Sequence, residues 1–471
     1  MEKAPDEVLL KIFRRLDFKS VANVRLVNKR MAEVGAEALV KKVRFHCSQE
    51  SLQRLKNLAT HNVFRKTVDS VVFEGNILAN VGCIHTYTAH YDLEHHSQDR
   101  PQPPPRNATA REKRLFERNL TKFQNEIEDK YEKYRTFYDN QQNLIKSNAY
   151  ADCIDASIAC FPKLTKLQLS TVGRCKHVLS ERFLDTFSID CAMPIENDTK
   201  HTKEQLKHLL FPHGRTVTTI RELAVHVLSP KFFSDFLPRK TMLCDAFRNL
   251  RVVDISFRLE RDDRFDFTIM SADRCYGDLR KGYLRDALGA ATQLEKLTIN
   301  FEDYGFHGPC ADMKYIVGDH VWPKLTYLDL DTMSATEDYL ISMLNRQRSL
   351  KTLKLGLITL EDGLWTHATQ RMRKDLHLED FIAHGILEDP VQMYPMHFID
   401  SDAYMDDFER HSMADALDVY VTDEWDVEDE YHPLEDDTFG DPDDLRDEFG
   451  PFTDDEYDEM DSIMSDMDCS D

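Results

Sequence analysis

Seven times between residues 68 and 355 the chain sets an apolar residue, two others, a second apolar residue, one other, and a third apolar residue. The copies are Val68, Val71, Phe73; Leu164, Leu167, Leu169; Ile220, Leu223, Val225; Leu250, Val253, Ile255; Leu294, Leu297, Ile299; Leu325, Leu328, Leu330; and Leu350, Leu353, Leu355. Alternate side chains of a strand point to opposite faces, so the second and third members of each phrase share one face of a short strand. Each unit then supplies one parallel strand and a return segment, and neither buries its apolar side without a neighbour. The last four starts are 44, 31 and 25 residues apart, so the repeat is irregular. The phrases predict a curved repeat domain, with a generic α/β domain as the alternative.

Residues 4 to 31, APDEVLLKIFRRLDFKSVANVRLVNKRM, carry signals for three short helices. Pro5 suits a first helical position, and Asp6 and Glu7 place negative charge on the positive end of the first turn. Leu9, Leu10, Phe13 and Leu16 follow at helical spacing. Ser20 is the expected cap of a second helix carrying Val21, Val24 and Val27. Asn28 is the expected cap of a third running through Met31, Val34 and Leu39. A trihelical cluster this small is not expected to close its own core, and its aliphatic surface is expected to need a partner, in its own chain or another.

These residues resemble the F-box, the adaptor-binding motif of substrate receptors in SCF-type cullin–RING ubiquitin ligases. The family's Leu-Pro-x-Glu opening reads Ala4, Pro5, Asp6, Glu7; its Leu-x-x-Ile-Phe-x-x-Leu core reads from Leu9 through Ile12 and Phe13 to Leu16; its closing Val-Cys-Lys-Arg-Trp reads Val27, Asn28, Lys29, Arg30, Met31. Ala4, Asn28 and Met31 depart from the pattern, and Met31 fills an aromatic's place with less area and less rigidity. The resemblance implies that Pro5, Leu9, Leu10, Ile12, Phe13, Leu16, Val24, Val27 and Met31 contact a Skp-type adaptor. The repeated phrase in turn looks like the L-x-x-L-x-L strand of leucine-rich repeats. A helix over residues 49 to 61 followed by the β-branched run TVDSVVFEG is similar to an arrangement found in F-box proteins from fungi.

Pro101, Pro103, Pro104 and Pro105 oppose helix within residues 97 to 107 and predict an extended linker. Phe116, Leu120, Phe123, Ile127, Tyr131, Tyr134 and Tyr138 then recur about every 3.7 residues, one amphipathic helix over 109 to 146 whose stripe covers the repeat domain. The alternative is a coiled coil with a second chain. The insertions at 171 to 219 and 258 to 292 are too long for plain connections. The second is expected to be either part of a substrate surface or a variable loop with its own local helix.

The formal charge of −24 over 471 residues is unevenly placed. Residues 400 to 471 hold 30 acidic residues and 2 arginines, leaving 58 basic and 54 acidic residues, net +4, for residues 1 to 399. Such a tail is expected to be disordered, either solubilising or bound to a basic partner, with Tyr404, Phe408, Tyr420, Trp425 and Tyr431 among its aromatic anchors. Ten scattered cysteines without a C-x-x-C pair point to reduced thiols and a cytoplasmic or nuclear protein. No leader or 18-residue apolar run is legible, so no membrane route is expected.

No phosphate loop, G-x-G-x-x-G, H-E-x-x-H or G-x-S-x-G motif occurs. His90, Asp92, Glu94, His95 and His96 are zinc-ligand types, but adjacent histidines without paired cysteines do not face one ion. The near-neutral body and acidic tail oppose nucleic acid. The expected fold class is α+β or α/β repeat: an F-box at 1–46, an irregular leucine-rich-repeat-like substrate-binding domain at 47–399 with a proline-rich loop and long helix inserted at about 97–146, and a disordered acidic tail at 400–471. The resemblance implies a non-catalytic receptor without cofactor or metal, bridging the adaptor, and through it a cullin, to a protein target of unknown identity. A non-ligase scaffold and an acidic-tail binder of basic proteins are the alternatives.

Overall fold

The computed structural model describes residues 4–16, 18–94, 100–171, 199–234, 240–258, 276–302, 310–396, 412–422 and 432–435. It divides the chain into two units, Met1–Ser271 and Ala272–Asp471.

The first unit opens with α1 (Asp6–Phe13), α2 (Phe18–Val24) and α3 (Lys29–Leu39). It continues through β1 (Lys42–His46), α4 (Gln49–Thr60), β2 (Ser70–Glu74), α5 (Ile84–Glu94), α6 (Ala110–Lys146) and α7 (Ala149–Ile158) to β3 (Lys166–Ser170), β4 (Glu222–Leu228) and β5 (Val252–Arg258). The five strands are parallel and pair in chain order. Register puts Val43, Val71, Leu167, Leu223 and Val253 in one row and Phe45, Phe73, Leu169, Val225 and Ile255 in the next. All ten are at most 4 % exposed. The Lys41 carbonyl accepts the amides of Asp69 and Ser70, Asp69 those of Thr165 and Lys166, Thr165 those of Arg221 and Glu222, and Arg221 those of Arg251 and Val252. One carbonyl per repeat therefore ties down the entry of the next strand.

The second unit repeats this construction with β6 (Lys296–Glu302), β7 (Ala311–Asp312), β8 (Tyr327–Thr336), β9 (Thr352–Asp362), β10 (Asp380–Glu388) and β11 (Met393–Pro395). Strands β6, β8, β9 and β10 are parallel neighbours, β7 pairs with the far half of β8, and β11 returns antiparallel on β10. Leu297, Leu328, Leu353 and Phe381 share a row, as do Ile299, Leu330, Leu355 and Ala383. The carbonyls of Glu295, Thr326 and Lys351 each accept two amides of the following strand, as in the first unit.

The second and third members of all seven phrases fall on strands, each first member standing two residues before its strand, and two further copies appear: Val40, Val43, Phe45 at β1 and Leu378, Phe381, Ala383 at β10. Both fit the same spacing. The first starts on a valine adjoining the trihelical segment and the second ends on alanine, the weakest apolar signal of the set.

Helix α6 starts on a capping box in which the Thr109 side chain accepts the Glu112 amide and Glu112 accepts the Thr109 amide. Its stripe packs on its own chain: Ile127 and Tyr134 are buried with Leu78, Val81, Tyr87 and Tyr91, while Phe123, Tyr131 and Tyr138 are partly covered. Buried Gln141 accepts the Leu78 amide (2.7 Å) and donates to the carbonyls of Asn76 (3.2 Å) and Cys47 (3.3 Å), pinning the loop after β2. Of the second insertion, 259–275 lies outside the described residues and Tyr283–Ala290 is a helix; 172–198 of the first lies outside them as well.

Two expectations are corrected. Helix α2 begins at Phe18, so Ser20 lies inside it and cannot be its cap. Within the acidic tail, Ser412–Val421 is a helix with Leu417 and Val421 at 0 % and 1 % exposure, and Asp418 Oδ1 accepts the Phe381 amide of β10 at 2.7 Å. His432 and Leu434 are buried as well, with His432 Nε2 2.8 Å from Thr369 Oγ1 and its ring 4.5 Å from that of Tyr420. Local apolar content, not mean charge, decides here: the helix covers the outer side of β10, where no further parallel strand follows among the described residues, and 432–434 packs on that helix. The remainder of 400–471 lies outside the described residues.

Candidate functional site

The trihelical segment closes a core of its own. Leu9, Phe13, Val21, Met31 and Val34 are buried together, with Ala4, Leu10, Val24, Ala38 and Leu39 partly covered around them. Asn28 caps α3 by accepting the Met31 amide at 2.8 Å. Arg30 ties α3 to the start of α1 through its ion pair with Asp6 (2.6 Å) and a hydrogen bond to the Ala4 carbonyl. The expectation that so small a cluster cannot close a core is thereby corrected: Leu9 and Phe13, four apart on α1, meet Met31 and Val34 of α3.

The residues expected to meet an adaptor therefore divide. Leu9, Phe13 and Met31 lie inside at 0 %, 1 % and 4 % exposure, and Leu10 and Val24 are half-buried. Pro5, Ile12, Leu16 and Val27 face solvent, joined by Val8 and Leu26, which sequence reading passed over. Eight large apolar side chains are exposed among the described residues, and five of them, Val8, Ile12, Leu16, Leu26 and Val27, lie within residues 8 to 27. Val8, Ile12 and Leu16 are four apart, so they line one side of α1 and its continuation; Leu26 and Val27, 85 % and 69 % exposed, sit in the turn before α3. The signal for Val8 and Leu26 was present as a second helical register in VLLKIFRRL and as an aliphatic pair in a turn. Five exposed aliphatic side chains within twenty residues are the kind of concentration found at interaction surfaces.

A second candidate surface is the outward face of the strands in the second unit. Asp329 and Asp331 of β8, Lys354 of β9 and His384 of β10 alternate with the buried leucine rows. His384 Nε2 stands 3.4 Å from Asp331 Oδ2 across Gly356, where any Cβ would strike the imidazole. The Tyr327 hydroxyl donates to Asp329 at 3.0 Å, and Lys296 and Lys354 lie over the Tyr327 ring. Burial pushes the Asp329 carboxyl above the usual carboxylate range, opposed by that hydrogen bond and by His384 and Lys354. Just beyond, Thr332, Leu357 and Gly385 adopt φ of 58°, 48° and 70° in adjacent strands, the last two at the register break between β9 and β10. Each non-glycine residue held there costs about 1–3 kcal/mol. The positions between the leucines were legible in the sequence, but which of them converge depends on register.

Of the run from His90 to His96, the side chains of Asp92, Glu94, His95 and His96 lie outside the described residues. Among the described residues no group of three or more His, Cys, Asp or Glu is set to hold a metal ion, and no helix is long and apolar enough to cross a membrane. A comparison with curated proteins finds no match. Over the trihelical segment and β1 the finding is positive: residues 4–46 match the family model described as F-box-like.

Proposed function

We propose that this chain is the substrate-recognition subunit of an SCF-type ubiquitin ligase. The observation that carries the reading is the coincidence of the F-box-like match at residues 4–46 with the exposed row Val8, Ile12, Leu16, Leu26 and Val27 on a unit already closed around Leu9, Phe13 and Met31. The row docks on a Skp-type adaptor, which joins the cullin. Pro5 borders it, and Leu10 and Val24 contribute their uncovered edges. The inner residues Leu9, Phe13 and Met31 shape this surface from beneath.

The parallel strands that follow, ordered along the chain with one leucine-rich phrase each, support a leucine-rich-repeat-like body that holds the target. Tyr327, Asp329, Asp331, Lys354 and His384 are its candidate recognition residues. The chain itself carries out no bond chemistry. By holding target lysines near a charged thioester it raises their effective concentration, which accelerates transfer without a catalytic group of its own.

Affinity capture tests this reading. The intact chain should retain adaptor and cullin together, and removal of residues 1–46 should lose both. Adaptor without cullin would instead make the chain a scaffold outside any ligase.

A further inference from the structure

Arg25 follows the last residue of α2 and joins three parts of the first unit. Its Nε donates to the Ala32 carbonyl of α3 at 3.1 Å, and its guanidinium lies 5.3 Å from the centroid of the Phe64 ring. Its stem occupies the space over Gly35, where a Cβ would come within 2.5 Å of Arg25 Cγ. Gly35 is thus a helical glycine whose missing side chain makes room for an arginine. Phe64 belongs to the body beyond β1. It stacks on His61 at 4.3 Å, and its amide and that of Val63 donate to His61 Nδ1 at 3.3 Å. Thr67, three residues on, donates to the carbonyls of Val40 (2.8 Å) and Phe64 (2.9 Å). Between α3 and β1 the chain itself offers only Val40 and Lys41, a joint about which three helices can swing unless side chains brace it.

We propose that Arg25 is a positioning residue: by clamping α3 against Phe64 it fixes the angle at which the trihelical unit, with its exposed aliphatic row, is carried on the repeat body. The brace stands on the geometry of this chain alone. Its consequence for ubiquitin transfer rests on the proposed function, because a receptor that swings at this joint spreads its target over a larger volume and lowers the effective concentration at the thioester.

The test uses the full chain carrying spin-labelled unnatural amino acids at the exposed positions Glu33 on α3 and Gln53 on α4, read as a distance distribution. The parent should give one narrow distribution. Arg25→Ala should raise the detached population roughly threefold to tenfold, the scale of a half-buried cation–π contact. Gly35→Val should do the same by displacing the stem while leaving the arginine in place. Arg25→Lys, which keeps a cation over the ring, should fall between, and Arg15→Ala at an exposed position should match the parent. In a reconstituted ligase Arg25→Ala should lower kcat for target ubiquitination in proportion to the attached fraction lost in the distance distribution, with adaptor affinity unchanged. Distributions for Arg25→Ala and Gly35→Val as narrow as the parent's would overturn the brace. A chain that captures no adaptor would overturn the proposed function instead, and the distance measurement would still decide the brace.

Discussion

Helix α1 near the start of the chain and the helix Ser412–Val421 near its end are both short and both amphipathic, yet they do opposite things. The first buries Leu9 and Phe13 and leaves Val8, Ile12 and Leu16 at 39–45 % exposure. The second buries Leu417 and Val421 and covers most of Tyr420. What separates them is the neighbour. Among the described residues the outer side of β10 has no further parallel strand, and the helix Ser412–Val421 fills that place with apolar contacts and with Asp418, which accepts the otherwise outward-facing Phe381 amide. The aliphatic row on α1 has no such partner among the described residues. An uncovered face on one helix and a covered one on the other are what distinguish the proposed docking face from a cap.

The largest effect should come from removing the cap. A chain ending at residue 411 loses the burial of Leu417, Tyr420, Val421 and Leu434, each worth about 1.5–3 kcal/mol. It should unfold the repeats around β10 in thermal and urea melts. A chain ending at residue 435 should melt within about 0.5 kcal/mol of the parent. Equal melts for the two truncations would erase the contrast between helices.

Next in size is the interior of the trihelical unit. Phe13→Ala and Leu9→Ala should each cost about 2–5 kcal/mol, seen as lost amide protection across residues 4–39. Ile12→Asp should leave that protection unchanged, since its side chain faces solvent. Met31→Trp, which enlarges a side chain only 4 % exposed, should destabilise the unit by about 1–3 kcal/mol.

Much of this was legible in the sequence. Seven strand phrases, the extent of α6 and the Asn28 cap follow from spacing and side-chain chemistry alone. The buried helix in the tail was hidden because 30 carboxylates dominate the composition, while Leu417, Tyr420 and Val421 form a pattern only three residues long. The division of the residues expected to meet an adaptor was hidden for a different reason. In VLLKIF nearly every position is apolar, so periodicity locates a helix but cannot tell which side meets α3 until α3 is placed. Convergence of Asp331 and His384 across Gly356 depends in the same way on register between strands 53 residues apart at these positions.

A smaller effect follows from pH. Burial holds the His432 imidazole down at about 4, so between pH 6.5 and 4 the unfolded chain takes up a proton that the folded cap refuses. The stabilisation is full above pH 6.5 and is lost as pH falls toward 4. The melting temperature of the second unit should drop over that window, and His432→Gln should flatten the drop. His46, also held at about 4 chiefly by burial, gives the first unit a dependence of the same sign.

The most direct measurement is calorimetric titration of a purified Skp-type adaptor into the parent chain and into the double variant Ile12→Asp, Leu26→Asp. Both positions are exposed, so the variant should keep the parent's melt, and losing two anchors should weaken binding on the order of a hundredfold or more. A folded double variant that binds the adaptor as tightly as the parent would contradict the assignment of this aliphatic row as the docking surface.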